Sequence, residues 1–230
     1  MNEFFASSVY AGTVLTLLFF YAGMLLKKKF KSAAVNPLLI AVGSTIAFLA
    51  VTKTSYSSYY EGAKYISWFL TPATICLAVP LYEQLEALRK NAAAVLCGIL
   101  SGVMASLFSV LLLSMLFGLS HKEYVTFLPK SITTAIGMAV SEEMGGYSPI
   151  TVAVIILTGI TGNLICVPLL KALRIKEPIA KGIAIGTASH AIGTSKAMEL
   201  GSLTGAMSSL SIVVSGLLTV ILAPFFGVLY

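Results

Sequence analysis

The chain has 230 residues, of which 57% are hydrophobic and 10% charged, and its mean hydropathy is +0.94. This composition excludes an ordinary water-soluble protein and predicts one multi-pass transmembrane domain over residues 1–230. The net charge of +6 does not indicate nucleic-acid binding, because the basic residues cluster in short loops. These clusters are Lys27, Lys28, Lys29 and Lys31, and further on Lys171, Arg174, Lys176 and Lys181. Since such loops face the cytoplasm, we expect a protein of the inner (cytoplasmic) membrane with its N-terminus outside.

Apolar stretches predict an all-α protein with about seven to eight membrane elements. In chain order they fall at 4–26, 36–51, 65–82, 91–117, 126–140, 149–170, 178–197 and 203–229. Four of them are long and rich in Leu, Val, Ile and Phe, which is typical of lipid-facing spans. We expect residues 1–64 to be an N-terminal scaffold and residues 65–230 to be a transport core.

The other stretches are short or interrupted by proline and polar residues. Residues 68–82 contain Pro72 and Pro80, residues 127–140 contain Pro129, and residues 178–196 are mostly Gly, Ala, Ser and Thr. Unpaired backbone and polar side chains are costly in hydrocarbon, so these segments are expected to face protein or water. If every stretch crossed fully, the basic loop at 171–181 would lie outside, so we expect one segment, 127–140, to be re-entrant.

A weak internal repeat has an offset of roughly 60 residues. Phe69-Leu70-Thr71-Pro72, Tyr82-Glu83-Gln84 and Cys97-Gly98-Ile99 are echoed by Phe127-Leu128-Pro129, Ser141-Glu142-Glu143 and Thr158-Gly159-Ile160. Each repeat is predicted to consist of a broken helix, an acidic turn and a full span, a pattern that indicates a transporter's binding site. Chance similarity between apolar segments is the alternative.

The first candidate site surrounds Pro129, where a helix can begin at membrane depth. A helix N-terminus beside Lys130 suits a carboxylate, and Ser131, Thr133 and Thr134 supply hydroxyls. If the helix starts there, Lys130, Thr134, Gly137 and Ser141 share one face. Alternatively, Lys130 snorkels to the interface and the threonines bond back to the helix.

The second candidate site is the small-residue run from Gly186 to Lys196. On a helix, Thr187, His190 and Thr194 would share a face, and the glycines would let another helix come close. We expect Ser189, His190, Gly193 and Thr194 to line a narrow polar path. His190 would bind an anion or titrate with a coupled proton, or it is a structural histidine bonded to a neighbouring helix.

Three further polar positions complete the predicted set. Glu142 and Glu143 end the helix after Pro129, where acidic residues oppose the dipole, so Glu142 is a candidate for proton coupling; an exposed loop is the alternative. Asn163, near the middle of a span, is expected to bond between helices. No cofactor or metal is expected, because Cys76, Cys97 and Cys166 lack metal-ligand spacing. The chain also lacks catalytic motifs and any Asp, so we expect no enzyme.

Several motifs together resemble the LrgB/CidB family of bacterial membrane proteins, most strongly from about 127 to 210. They are Pro129-Lys130-Ser131-Ile132-Thr133-Thr134, Ser141-Glu142-Glu143-Met144-Gly145-Gly146, Leu157-Thr158-Gly159-Ile160-Thr161-Gly162, Arg174 to Gly182, and Gly186 to Thr194. The resemblance implies either an antiholin-like regulator of murein hydrolase activity and autolysis or a carrier of small monocarboxylates such as pyruvate, glycolate and glycerate. It also implies a small LrgA/CidA-type membrane partner. The interrupted polar helices favour the carrier, and we expect it to form a homodimer.

Overall fold

The structure, a computed structural model, describes residues 2–30, 37–69, 72, 75–76 and 78–230. Every regular element in this described part is an α-helix, which confirms the predicted fold class. The chain forms two compact units, Met1–Cys76 and Leu77–Tyr230.

The described part of the first unit contains four helices: α1 (Asn2–Ser7), α2 (Ala11–Phe30), α3 (Pro37–Val51) and α4 (Tyr56–Ser67). The apolar run predicted as one span over 4–26 is therefore two helices, interrupted just after Ser7. Serine favours helix ends because its hydroxyl bonds nearby backbone, and Ser7 Oγ donates to the carbonyl of Phe4 at 3.3 Å. Glycine lets α2 and α4 touch, since a Cβ at Gly12 would lie 2.7 Å from the nitrogen of Ala63. The predicted break at 65–82 lies partly outside the described residues.

The second unit contains eight described helices. They are α5 (Ala78–Glu83), α6 (Leu85–Lys90), α7 (Ala92–Phe117), α8 (His121–Phe127), α9 (Thr134–Glu143), α10 (Ser148–Ala172), α11 (Pro178–Leu200) and α12 (Ser202–Gly227). Its core begins with an i, i+4 stripe on α7, formed by Val95, Ile99, Val103 and Leu107, all buried. This spacing places the four side chains on one face, where they pack with buried residues of α8 and α12.

Four helices of the described part are long and apolar enough to cross a membrane: α2, α7, α10 and α12. They correspond to the four long stretches predicted from the sequence, and they make this a multi-pass membrane protein. The prediction of seven to eight membrane elements and an internal repeat is not confirmed by these helices. Two of the predicted interrupted segments are interrupted in the structure. Helices α8 and α9 are two short helices separated by a non-helical segment, and α11 is interrupted at His190.

The first half of helix α11 packs tightly alongside α12 and runs in the same direction, because two glycines of α11 face the backbone of α12. A Cβ at Gly186 would overlap the carbonyl oxygen of Ser208, and one at Gly182 would overlap that of Thr204. Small residues four apart allow this close approach in membrane proteins. Gly201, which connects the two helices, has a φ of 139°, a conformation that residues with a Cβ rarely adopt.

Candidate functional site

The segment between α8 and α9 is a pair of tight turns rather than a helix. The amide of Lys130 donates to the carbonyl of Phe127 at 3.1 Å, and that of Ile132 to the carbonyl of Pro129 at 3.4 Å. Helix α9 begins after the N-cap residue Thr133, so the predicted start at Pro129 is wrong by a few residues. Lys130 therefore does not continue a helical face. The turn instead directs it towards α7.

Lys130 bonds to hydroxyl groups. Its Nζ donates to Ser131 Oγ at 3.1 Å and to Ser106 Oγ at 3.3 Å, and the two serine oxygens are 3.0 Å apart. Ser131 is buried and Lys130 half-buried. Within the described residues, the ion pairs are Lys64 with Glu61, Lys90 with Glu86 and Lys196 with Glu199, so the Lys130 cation has no carboxylate partner there.

The same two serines border a small cavity of about 10 Å³, which is about the space one water needs. Helices α7, α11 and α12 and the turn after α8 surround it. Its wall carries five hydroxyl groups, those of Ser106, Ser131, Thr187, Ser215 and Thr219. The first interrupted segment and α11 therefore meet at a polar cavity. Lys130 lies against its wall through Ser106 and Ser131.

Three of these hydroxyl-bearing residues, Ser106, Ser215 and Thr219, were not among the residues of the two predicted sites. Ser215 and Thr219 lie on α12, which the sequence predicted to be a lipid-facing span, yet both are buried. The available signal was their spacing: Ser211, Ser215 and Thr219 recur every fourth residue and so share a face. Ser106 gave no comparable signal because the four serines of α7, at 101, 106, 109 and 114, do not recur every fourth residue.

Helix α11 is broken at His190, whose backbone has φ of 41° and ψ of −141°. A Cβ at Gly193 would lie 3.0 Å from Ile185 Cγ2. Those two residues are eight apart, which corresponds to about 12 Å along a straight helix, so the second half of α11 bends back towards the first. The predicted common face of Thr187, His190 and Thr194 is therefore wrong. Thr187 lines the cavity, whereas Thr194 bonds to α12.

The side chain of His190 is buried and bonded to α10. Its Nε2 lies 2.9 Å from the carbonyl oxygen of Ile155 and therefore carries the hydrogen that is donated. Gly159 on α10 makes room for the ring, since a Cβ there would lie 2.8 Å from Nε2. His190 is absent from the cavity wall, and this geometry is that of a histidine holding a helix break in place. Its role in substrate binding or coupling stays a prediction.

The other polar residues around the break are joined to neighbouring helices. Thr194 Oγ1 donates to the carbonyl of His190 at 2.9 Å and lies 2.7 Å from Ser208 Oγ on α12. Asn163 Nδ2 donates to the carbonyl of Ile192 at 2.8 Å. Ser189 is buried against Gly162, where a Cβ would overlap its hydroxyl.

The remaining predicted residues lie near the ends of α9. Thr133 and Thr134, both half-buried, begin the helix, and the hydroxyl of Thr133 makes no cap bond to it. Glu142 and Glu143 end the helix and are exposed. Neither carboxylate lines the hydroxyl cavity, so a coupling role for Glu142 stays a prediction.

Comparison with known proteins gives a consistent family assignment. Two proteins named holin-like protein CidB are similar to this chain: that of Staphylococcus aureus is 37% identical over 211 residues, covering 92% of each chain, and that of Staphylococcus epidermidis is 36% identical over 224 residues, covering 97% of each. The antiholin-like protein LrgB of Bacillus cereus is 37% identical over 218 residues, covering 94% of this chain and 95% of its own. No solved structure matches. The model of the LrgB-like family matches residues 16–229, and the chain belongs to this family.

Proposed function

We propose that this protein is a carrier of small monocarboxylates, of the size of pyruvate or glycolate, across the cytoplasmic membrane. One observation carries the proposal: the Lys130 cation, without a carboxylate partner in the described residues, is bonded to two hydroxyls of a hydroxyl-lined cavity inside a membrane protein. Ionisable groups at such positions are costly and are typical of substrate pathways. A single cation surrounded by neutral hydroxyls suits a transported anion, because the anion must be released again after it binds.

The cavity chemistry matches a carboxylate with one further oxygen. Lys130 Nζ would form a charge-assisted hydrogen bond to the carboxylate. The Ser131 hydroxyl can donate to its other oxygen. The hydroxyls of Thr187 and Ser215 donate to the carbonyls of Ile183 and Ser211, so they can accept from a substrate hydroxyl. The apolar part of the wall, including Leu107, would contact the carbon chain.

Access to the cavity would run through a wide groove between α7 and α11. The groove has a volume of about 700 Å³ and includes Gly102, Ile183 and Thr187 in its wall. Thr187 also lines the small cavity, so it separates the two spaces. A cavity of about 10 Å³ is too small for a three-carbon acid, so in the proposed transport cycle the described arrangement would be a closed state. Displacing Thr187 would join the cavity to the groove.

The other predicted residues enter the proposal through the two helix breaks. Thr133 and Thr134 would bond substrate as it passes the start of α9. Ser189, Gly193 and Thr194 shape the break in α11, and His190 or Glu142 would carry a coupled proton. An LrgA/CidA-type subunit would work with the carrier, and a second copy would complete a homodimer.

The test is uptake of radiolabelled pyruvate and glycolate into proteoliposomes that contain the purified protein, with and without an LrgA-type subunit. Lys130→Met removes the cation, and the loss of one charge-assisted hydrogen bond, about 1.5–3 kcal/mol, should raise the half-saturating concentration roughly 10- to 100-fold. Lys90→Met is the matched control, because Lys90 is exposed and paired with Glu86 at 2.7 Å. Absence of uptake in every combination, or equal uptake by Lys130→Met, would refute the proposal.

A second candidate function is supported by the names of the relatives, which are holin-like and antiholin-like proteins. The protein would then regulate murein hydrolase activity and autolysis through assembly in the membrane rather than through flux. Autolysis of cells that lack the gene separates the two functions when Lys130→Met or His190→Ala is supplied in its place. Normal autolysis with a variant that transports nothing would favour direct regulation, and parallel loss of both would favour transport.

A further inference from the structure

A second pocket lies where α10 ends and α11 begins, separate from the hydroxyl cavity. Its volume is about 290 Å³. One part of its wall is apolar, formed by Val167, Leu170, Ile175 and Leu200. The other part carries four cations, those of Lys171, Arg174, Lys176 and Lys181.

Among the residues that the structure describes, none of the four cations forms an ion pair. In the described ranges, none of their nitrogens has a carboxylate oxygen within 4.0 Å. The carboxylates nearest in sequence are Glu177, which is exposed, and Glu199, which is bonded to Lys196. Four like charges around one pocket repel each other, so the pocket favours an anionic occupant.

The helix ends explain only part of this charge. Lys171 lies in the last turn of α10, where a cation is stabilised by the helix dipole. Lys176 and Lys181 lie beside the start of α11, the positive end of a helix, where further cations are destabilising. The N-cap residue Glu177 makes no side-chain bond to this helix start. Both the helix end and the lysines therefore attract an anion.

Arg174 occupies a backbone conformation that normally selects glycine. Its φ is 56°, in the left-handed region, which is unfavourable for an L-residue with a side chain. The turn ends α10 by donating the amide of Ile175 to the carbonyl of Leu170 at 2.9 Å, and glycine usually stands at this position. An arginine here is unfavourable for the turn itself, yet its side chain adds a fourth cation to the pocket.

The length of α10 is consistent with a pocket at the level of the lipid headgroups. Helix α10 has 25 residues and so measures about 37 Å, which exceeds a hydrocarbon core of about 30 Å. Leu169, in its last turn, and Leu173, which directly follows the helix, are exposed and available to acyl chains. Basic pockets beside transmembrane helices at this level bind anionic lipid headgroups.

We propose that this pocket binds an anionic phospholipid, with its phosphate between the four cations and an acyl chain along Val167, Leu170 and Leu200. The apolar wall favours a lipid over a free anion, because a free anion would leave that wall in contact with water. Binding would hold the α10–α11 connection at the membrane surface. The inference does not depend on the transported substrate.

The test is a titration of the purified full-length protein in neutral detergent with phosphatidylglycerol, phosphatidylcholine or inorganic phosphate, following the midpoint of thermal unfolding. Phosphatidylglycerol should raise the midpoint in a saturable way and the other two should not. Arg174→Gln with Lys181→Gln should weaken the apparent affinity for phosphatidylglycerol about 30-fold, since each cation contributes about 1 kcal/mol. Lys27→Gln with Lys28→Gln removes the same charge from α2 and should leave the affinity unchanged.

A third variant separates binding from folding. Arg174→Gly removes a cation and relieves the left-handed strain, so it should unfold at a higher temperature without lipid and respond less to phosphatidylglycerol. An equal response to phosphatidylcholine, a phosphate response as large as the lipid response, or equal losses in the α2 control would each overturn the proposal. A full lipid response by Arg174→Gly and by the double variant would overturn it as well.

Discussion

Replacing Gly186 with alanine tests whether the close contact between α11 and α12 holds the second unit together. The added Cβ would overlap the carbonyl oxygen of Ser208 and lie 2.7 Å from the Cβ of Ser211. Backbone atoms cannot rotate away, so the two helices must separate. Overpacking of this kind costs about 3 kcal/mol at the upper end of its usual range.

The same substitution has a favourable component, because alanine is about 1 kcal/mol better than glycine inside a helix. The net loss is therefore about 2 kcal/mol. In a chain of this length each kcal/mol corresponds to about 2–4 °C, so the unfolding midpoint should fall by about 4–8 °C.

Gly98→Ala is the matched control, because a Cβ at Gly98 would meet only the side-chain atoms Cδ1 and Cγ2 of Ile183, at 3.3 and 3.4 Å. Those atoms can shift, so the gain in helix propensity should leave the midpoint unchanged or about 2–4 °C higher. The assay is the fraction of detergent-solubilised protein that remains monodisperse after heating. A midpoint for Gly186→Ala at or above that of Gly98→Ala would refute this account of the packing.

Two hydrogen-bond predictions use the same assay. Ser209 Oγ is buried without a hydrogen-bond partner within the described part of the chain, so Ser209→Ala should raise the midpoint by about 2–4 °C. Ser208→Ala, which removes the contact with Thr194, should lower the midpoint. A lower midpoint for Ser209→Ala than for Ser208→Ala would contradict these hydrogen-bond assignments. Tyr124→Phe removes the bond from the phenol to the carbonyl of Phe226, 2.8 Å long, and should lower the midpoint by about 2–4 °C through the loss of about 1 kcal/mol; an unchanged midpoint would show that this buried bond contributes nothing.

The positions of the two helix breaks show how far sequence reasoning reaches. Proline and polar residues correctly indicated an interruption near Pro129, but the sequence placed the helix start there and the structure places it after Thr133. Proline restricts its own φ and the residue before it; it does not determine whether the following residues form a helix. That outcome depends on tertiary contacts, here the bonds of Lys130 and Ser131 with Ser106 on α7.

The break in α11 was predicted only in general terms. Small polar residues indicated an interrupted helix over 178–197, yet no local feature selects His190 as the residue with positive φ. Histidine is only moderately tolerant of such angles. The bond from its ring to Ile155 fixes the position, and the partner lies 35 residues earlier in the chain.

The sequence by itself determined the environment and the kind of structure. Its hydropathy requires a membrane, three of its four long apolar runs match candidate spans closely, and motifs across most of the chain identify its family. Only the tertiary structure decided which hydroxyls face one another. Ser106, Ser131, Thr187 and Ser215 come from four separate segments, and in an α-helix a residue's local pattern fixes its own face but not the helix that this face meets. Burial of long helices against one another supplies that information, because helix packing is determined by side-chain fit between distant segments.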